Sequence, residues 1–384
     1  MAAYPVMIDE EKEQSLVNTF PTRKDEIWRF VNVSDLKPFE NPAEEQKVSL
    51  TDSLPPYMQS SLHINGNKLE GELSENISFE IKAESKSISS SDYFTNKNLA
   101  FNSKTPTLTI AADTENDENI CIHPQSDQVN WNRLHIVASE GSHSKICIHT
   151  IETLNNAAAT SLEISIEVKK GASLKVSLLA SSHQDSLLLQ GVHASLDRDS
   201  VLDIVDLDAN IKSMRTRYHI ELNGENAEAK LTGTTIGDKQ TQSHHYIEVY
   251  HNAPHCRSFQ FFKNLLLDKA KASFDGTVNV KEGAAGTSAH QLNNNLLLSE
   301  NARIYTKPRM KIKASDVKCN HGATSGSLDE DEIFYLMSRG FSRDNAVRVL
   351  ALGFIREALS DCHHTNAIQW WLDNNIKRLQ EIEK

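Results

Sequence analysis

The sequence predicts a mainly β protein built as a degenerate solenoid with a helical tail, and three observations carry that reading. Between about residue 77 and 313, short runs such as ISFEIKA, TLTIAA, RLHIVAS, SLEISIEV and SLKVSLLA alternate apolar and polar residues at period two, as strands do. The turns then repeat: EGSHSKICI, KGASLKVSL, RDSVLDIVD and ENAEAKLTG each set Ala, Ser or Val after a polar or glycine turn. Ser142, Ala172, Ser200 and Ala227 follow at steps of 30, 28 and 27 residues. A drifting interval of this size suits coils that stack on their neighbours and need caps at the ends. Strand spacing alone also fits a β-sandwich. Finally, after residue 326 the apolar period changes to 3.6, which marks helices.

Three regions follow in order. Residues 1–76 form a helical and irregular N-terminal region: DEEKEQSLVNTF is rich in helix formers, Pro21 breaks it, and Pro38, Pro42, Pro55 and Pro56 suit a connector with a few short strands. Residues 77–326 form the strand core. Residues 327–384 form a helical domain whose helices are expected to cap the solenoid. Its first helix opens with Ser327 and Glu330 as a capping box, takes its apolar face from Ile333, Phe334, Leu336 and Met337, and stops at Gly340. SRDNAVRVLALGFIREALSD and NAIQWWLDNNIKRLQEIEK supply two more helices, and one of Trp370 and Trp371 is expected in the core.

Composition narrows the function classes. With 52 acidic against 40 basic residues and a net charge of -12, the chain has no general attraction for a phosphate backbone, so nucleic acid is set aside. Five cysteines form no CxxC pair and leave at least one thiol unpaired, which fits a reducing interior. No apolar run approaches the roughly 18 residues of a membrane span, and the N-terminus lacks the apolar core of a signal peptide. A cytoplasmic protein without membrane contact is expected.

Several motifs could carry chemistry. His244, His245, His251 and His255 beside Cys256, and the DCHH run at 361–364, match no zinc spacing and read as satisfied strand or turn histidines. KEGAAGTSAHQ, at 281–291, lacks the spacing of a phosphate loop and reads as a turn. Cys319 and His321 are different. On a strand their i, i+2 spacing points both side chains the same way, and an imidazole beside a thiol favours the thiolate. Metal binding, a Cys-His hydrolase and a buried structural pair all remain open at this point. A hydrolase would also need an orienting group and an oxyanion hole, which nothing in the sequence fixes.

The residues around that pair resemble a known family. KASDVKCNHGATSGSLDEDEIFYLMSRGF (313–341) is similar to the signature of the SufB/SufD family of iron-sulfur cluster assembly scaffolds, with its CNHGAT core closest to the SufD branch. FPTRKDEIWRF (20–30) and AHQLNNNLLLSENARIYTKPRMKI (289–312) resemble the family's N-terminal motif and the approach to the signature. The resemblance implies a right-handed parallel β-helix core flanked by helical regions. It further implies pairing with SufB through the end of the core, with a possible homodimer when SufB is absent, and docking of the ATPase SufC on the C-terminal helices. The residues matching that docking region are Phe334, Tyr335, Leu336, Arg339, Phe354 and Ile355. Cys319 and His321 would then be ligands of a transient iron-sulfur cluster shared with SufB, with no stably bound cofactor, and ATP would act only through SufC. The expected function is a non-catalytic scaffold supporting cluster assembly and iron acquisition. A β-helix enzyme acting on polysaccharide is the alternative that fold alone suggests.

Overall fold

The computed structural model describes residues 19–40, 62–65, 68–83, 92–101, 104–122, 129–151, 159–181, 185–360 and 362–376. Strands alternate between two sheets, one strand to each per coil. The first sheet holds β1 (Leu62–Asn65), β2 (Lys68–Glu70), β5 (Glu115–Ile122), β7 (His143–Ile151), β9 (Ser173–Ser181), β11 (Val201–Ala209), β13 (Glu228–Gly237), β15 (Arg257–Leu266), β17 (Thr287–Leu297) and β19 (Val317–Gly326). The second holds β3 (Ile77–Ala83), β4 (Lys104–Ile110), β6 (Val129–Ala138), β8 (Ala159–Val168), β10 (Leu187–Leu196), β12 (Ser213–Leu222), β14 (Gln242–His251), β16 (Lys271–Val280) and β18 (Arg303–Ile312). From β4 and β5 onward every pairing is parallel and joins a strand to the next coil's strand. This is a parallel β-helix, and the sandwich alternative falls.

The repeat seen in sequence has a physical cause at one corner of each coil. The chain turns there through a left-handed residue, Gly141, Gly171, Asp199, Asn226, His255 or Gly286, with φ between 58° and 72°. Only glycine adopts that conformation freely, while Asn, Asp and His tolerate it best among the rest. The next residue faces inward with no room to spare: Ser142, Ala172, Ser200, Ala227 and Cys256 are all 0% exposed. Their carbonyls accept from the following coil, as from Ser173 N to Ser142 O at 2.8 Å and Val201 N to Ala172 O at 2.9 Å.

The inner column between the sheets starts apolar. Ile120, Ile148, Val176, Ile204 and Leu231 from one sheet meet Leu134, Ile164, Val192, Ile220 and Ile247 from the other. It then turns polar toward the C-terminal end. In β11 the change occurs within one strand: Leu202 and Ile204 face the inner core, while Val205, Leu207 and Ala209 face out beneath a helix layer. Asp206 and Asp208, on the inward side, are buried.

That helix layer is the C-terminal tail: α2 (Glu330–Ser338), α3 (Arg343–Leu359) and α4 (Thr365–Ile376). Contrary to expectation it does not cap the end of the solenoid. Ala351, Ile355, Leu359, Ile368, Trp371 and Leu372 pack sideways on Leu179, Val205, Leu207, Ile236 and Leu265 of the first sheet, because those strands present apolar residues on both faces. Lys263, 1% exposed, pins α3 by donating to the Phe354 carbonyl at 2.9 Å and pairing with Glu357. Trp371 is buried and Trp370 only half so, as the helical spacing requires. His363 and His364 sit under the α3–α4 turn, where His364 Nδ1 meets Ser177 Oγ at 2.9 Å and burial pushes His363 down to about 3. Both belong to the docking of the tail.

Two sequence expectations at α2 resolve differently. Its start is capped by Asp329, whose carboxylate accepts from Asp331 N at 2.8 Å; the expected Ser327–Glu330 box does not form, and Glu330 pairs with Arg343 at 2.7 and 2.8 Å. Its end follows expectation: Gly340 has φ 93°, Gly340 N donates to Met337 O and Phe341 N to Leu336 O, the double bond of a Schellman stop.

The expected helix over DEEKEQSLVNTF falls almost wholly outside the described residues. The segment after it packs as a strap on the outer face of the second sheet, with 3₁₀ turns at Glu26–Trp28 and Val33–Phe39 rather than an α-helix. Trp28 stacks under the Arg215 guanidinium, 3.8 Å from the ring centre, and Phe30 stacks on Tyr305 of β18 at 5.1 Å. Helix α1 (Tyr93–Phe101) joins the same cluster through Phe94. No helix among the described residues is long and apolar enough to cross a membrane.

Two substitutions test this packing. Lys263→Ala removes both a buried hydrogen bond and the packing of its stem, and should cost about 2 kcal/mol in urea unfolding, with Lys263→Met costing less. Gly233 lies against the Phe262 ring, and a Cβ there would overlap it. Gly233→Ala should therefore destabilise by about 1–3 kcal/mol, and an unchanged melting temperature would contradict this packing.

Candidate functional site: the free rim of the solenoid

The two ends of the solenoid are finished differently. At the N-terminal end, β1–β2 and β3–β4 pair antiparallel, and β2 is only three residues long, a short edge that discourages further pairing. At the C-terminal end, β18 pairs only with β16 and β19 only with β17 among the described residues. Each is a ten-residue strand with one ladder edge unpaired. Tyr305 and Ile312 on β18 are 42% and 41% exposed.

Cys319 and His321 lie on this rim. In the ladder Cys319 pairs with Ala289 and His321 with Gln291, and Cys319 packs against the inner cluster of Val278, Val280, Ala284 and Ala289. By strand alternation His321 occupies the same, inward side, at the mouth of the inner column. The intervening Asn320 faces the other way and meets His290 Nδ1 at 2.6 Å. Cys319 is half-buried, and burial raises its thiol pKa. That corrects the expectation of a thiolate favoured by the neighbouring imidazole, and it argues against a hydrolase nucleophile. One thiol and one imidazole amount to half of the four ligands an iron-sulfur cluster takes.

The histidines expected to be solvated or satisfied meet that expectation only in part, since His244 Nε2, His245 Nε2 and His251 Nδ1 are buried without a hydrogen-bond partner. His244, His245 and His251 are buried, and His244 Nδ1 and His251 Nε2 contact Ser273 Oγ and Ser258 Oγ, each at 2.8 Å. Among the described residues no group of three or more His, Cys, Asp and Glu side chains has the arrangement to hold a metal ion. All five cysteines are free, and Cys121, Cys147 and Cys256 are buried. Residues 281–291 turn from β16 into β17, as expected.

The helical candidates divide. Phe334 and Tyr335 are 70% and 57% exposed, Leu336 is half-buried, and the Arg339 guanidinium lies 5.2 Å from the Tyr335 ring centre. Only Ile333 of α2 is buried, so the apolar face expected to pack inward mostly faces solvent. Ile355, by contrast, is 1% exposed beneath the tail, and Phe354 is half-covered by Lys263; Ile355 is a core residue and leaves the docking set. Between the last coil and α2–α3 lies a cavity of about 670 Å³ bordered by Leu297, Arg303, Ile333 and Arg343. Sequence reading missed the inward Asp206 and Asp208, although the slip in alternation in VLDIVDLDA was the available signal.

The fold and its rim define an open-ended parallel β-helix with a thiol and an imidazole at the free end. Residues 121–354 match the model of the "SUF system FeS cluster assembly, SufBD core domain", so the chain belongs to the SufBD family. It is 31% identical over 244 residues to the iron-sulfur cluster assembly protein SufD of Escherichia coli, covering 60% of this chain and 55% of that one. It is 37% identical over 156 residues to a SufBD family protein of Synechocystis, covering 40% and 34%. Against the chloroplastic protein ABCI7 of Arabidopsis thaliana it is 31% identical over 199 residues, covering 51% and 42%. The matches thus span about half or less of each relative.

The raised thiol makes a direct expectation. Alkylation of Cys319 by iodoacetamide at pH 7.5 should run several-fold slower than that of free cysteine and keep rising past the ordinary thiol value of about 8.5, where free cysteine levels off. Peptide mass spectrometry measures it site by site, and a rate above free cysteine would disprove the burial effect.

Proposed function

We propose that this chain is a SufD-like scaffold subunit of an iron-sulfur cluster assembly complex. It pairs its free rim with the solenoid of a SufB-type subunit and contributes Cys319 and His321 to a transient cluster completed by partner ligands. Without that partner, a second copy of the chain takes the rim. The observation that carries this reading is the pair of unpaired ten-residue edges, of which β19 bears both the thiol and the imidazole. Unpaired parallel edges are templates for another chain's strands, and a half ligand set is completed by whatever joins them. The name of the Escherichia coli relative supports the same role.

A SufC-type ATPase docks on the exposed face of α2, where Phe334, Tyr335, Leu336 and Arg339 present aromatic and cationic anchors of the kind that dominate interfaces. ATP enters the system there, and this chain has no turnover of its own.

Truncation is a poor test of the docking site. Removing the tail uncovers Val205, Leu207, Ile236 and Leu265, at ~1.5–3 kcal/mol each, comparable with the whole stability of a domain. Point changes at exposed residues are cleaner. Phe334→Glu with Tyr335→Glu should leave the melting temperature unchanged and weaken capture of the ATPase at least tenfold in co-purification; undiminished capture would remove the site. His321→Ala should leave the SufB-type partner bound while cluster maturation falls in cells that depend on this pathway. Normal maturation in that variant would remove His321 from the ligand set.

A further inference from the structure

Half-way along the solenoid the inner column holds ionisable side chains that the rim does not use. Tyr218 donates its hydroxyl to Asp206 at 2.6 Å. His245 Nε2 lies 3.3 Å from Asp206 and 3.6 Å from Asp208. Thr235 and Ser243 donate to Asp208 at 2.8 and 3.1 Å. All six residues are 5% exposed or less. The groups facing this point are Asp206 and Asp208 from β11, Tyr218 from β12, Thr235 from β13, His245 and Ser243 from β14, and the Phe262 ring of β15, 4.9 Å from His245. No lysine or arginine among the described residues forms an ion pair with either carboxylate.

Two carboxylates therefore share one imidazole, and with all three ionised the core holds a net negative charge at low dielectric, which is costly. Burial pushes Asp208 up to about 6, with the Asp206 charge adding to it and His245 opposing. Burial disfavours the His245 imidazolium, but its 3.3 Å approach to Asp206 and the two carboxylate charges outweigh that and raise it.

A polar file leads from this cluster to the rim. Asp208, Thr235, Asn264, Asn295 and Ser325 occupy successive rungs of one inward column, spanning roughly 19 Å at about 4.8 Å per rung. Asn264 donates to Asn295 at 2.7 Å, and Asn295 donates to the Thr324 carbonyl of β19 at 2.8 Å. Asp206 Oδ1, Thr216 Oγ1, Gln260 Nε2 and Gln291 Oε1 are buried without a protein partner, and such atoms call for ordered water. Toward the N-terminal end the column is apolar, with Leu178, Val192 and Ile204, so the polar side of the cluster is the one that faces the free rim.

We propose that the Asp206–Tyr218–His245–Asp208 cluster is a reversible proton-binding site, and that the Thr235–Asn264–Asn295 file couples its charge to the order of the free strand β19. With the proton bound the cluster is neutral and the column closes on itself. With the proton lost, the buried charge draws water and donors inward, and the file loosens its hold on Thr324. The sign follows from linkage: a carboxyl whose proton is held more tightly folded than unfolded stabilises below its folded pKa and loses that contribution as pH rises through it. The proton site does not depend on the partner reading above; only its consequence for pairing at the rim does.

Hydrogen exchange on the full chain alone tests this. After correction for intrinsic rates, peptides covering 287–297 and 317–326 should exchange on the order of tenfold faster at pH 8 than at pH 5.5, while peptides from β6–β9 stay level. Asp208→Asn should remove that difference, and Asn264→Leu should remove it at 317–326 only. Equal exchange at both pH values in the unmodified protein, or the same pH response in Asp208→Asn, overturns the proton site. An unchanged response in Asn264→Leu overturns the file. Should Asp208→Asn fail to fold, infrared difference spectra of the unmodified protein decide: a protonated-carboxyl band lost between pH 5.5 and 8 is expected, and its absence overturns the site. The partner reading is scored separately, by co-purification, so either can fail without the other.

Discussion

A parallel β-helix depends on one constraint: every strand satisfies its backbone donors and acceptors through the coil before and the coil after. Within the stack this is automatic, and it lets sequences vary widely between corners. At the two ends it fails. The N-terminal end meets the difficulty internally, with antiparallel strands folded back on the first coils. The C-terminal end does not, and the side chains with the most evident ligand chemistry stand on that end. The helices that might have covered it lie instead along the flank, where β9, β11, β13 and β15 offer apolar residues outward. Placement of the tail and exposure of the rim are thus one fact seen twice.

Much of this was legible in sequence. Period-two alternation gave the strands, and the step near 28 residues gave the coil, because each corner admits only a small buried residue after the turn. The Cys319–His321 spacing gave a shared direction. What escaped reading was of a different kind. The left-handed position is filled by glycine in some coils and by Asp199, Asn226 or His255 in others, so no single letter marks it. The inward carboxylates of β11 were hidden by the habit of reading polar as outward; in VLDIVDLDA the habit holds to Ile204 and fails from Val205 on. Asp329 displaced Ser327 as helix cap because Glu330 is engaged by Arg343 thirteen residues on, a tertiary contact no local pattern contains.

The N-terminal strap shows how distant segments support the rim. Glu26 reaches Lys307 and Arg309 of β18 at 2.7 and 2.9 Å. These contacts are exposed and weak singly, but the Phe30–Tyr305 stack beside them and the Trp28–Arg215 stack further in hold the strap along the sheet. The last coil is thereby steadied on its outer face while its edge stays free. The motif at 20–30 and the signature at 313–341, far apart in the chain, serve one coil.

An unpaired edge of this length also has a meaning for the cell. A chain that presents two ready-made β templates is a hazard whenever it outnumbers whatever covers them, since further copies, or unrelated strands, add to the same edges. On the proposed pairing, its safe concentration is set by the supply of its counterpart more than by its own folding stability. Synthesis of the two in matched amounts, or swift clearance of the surplus, is the condition under which such an edge can be kept.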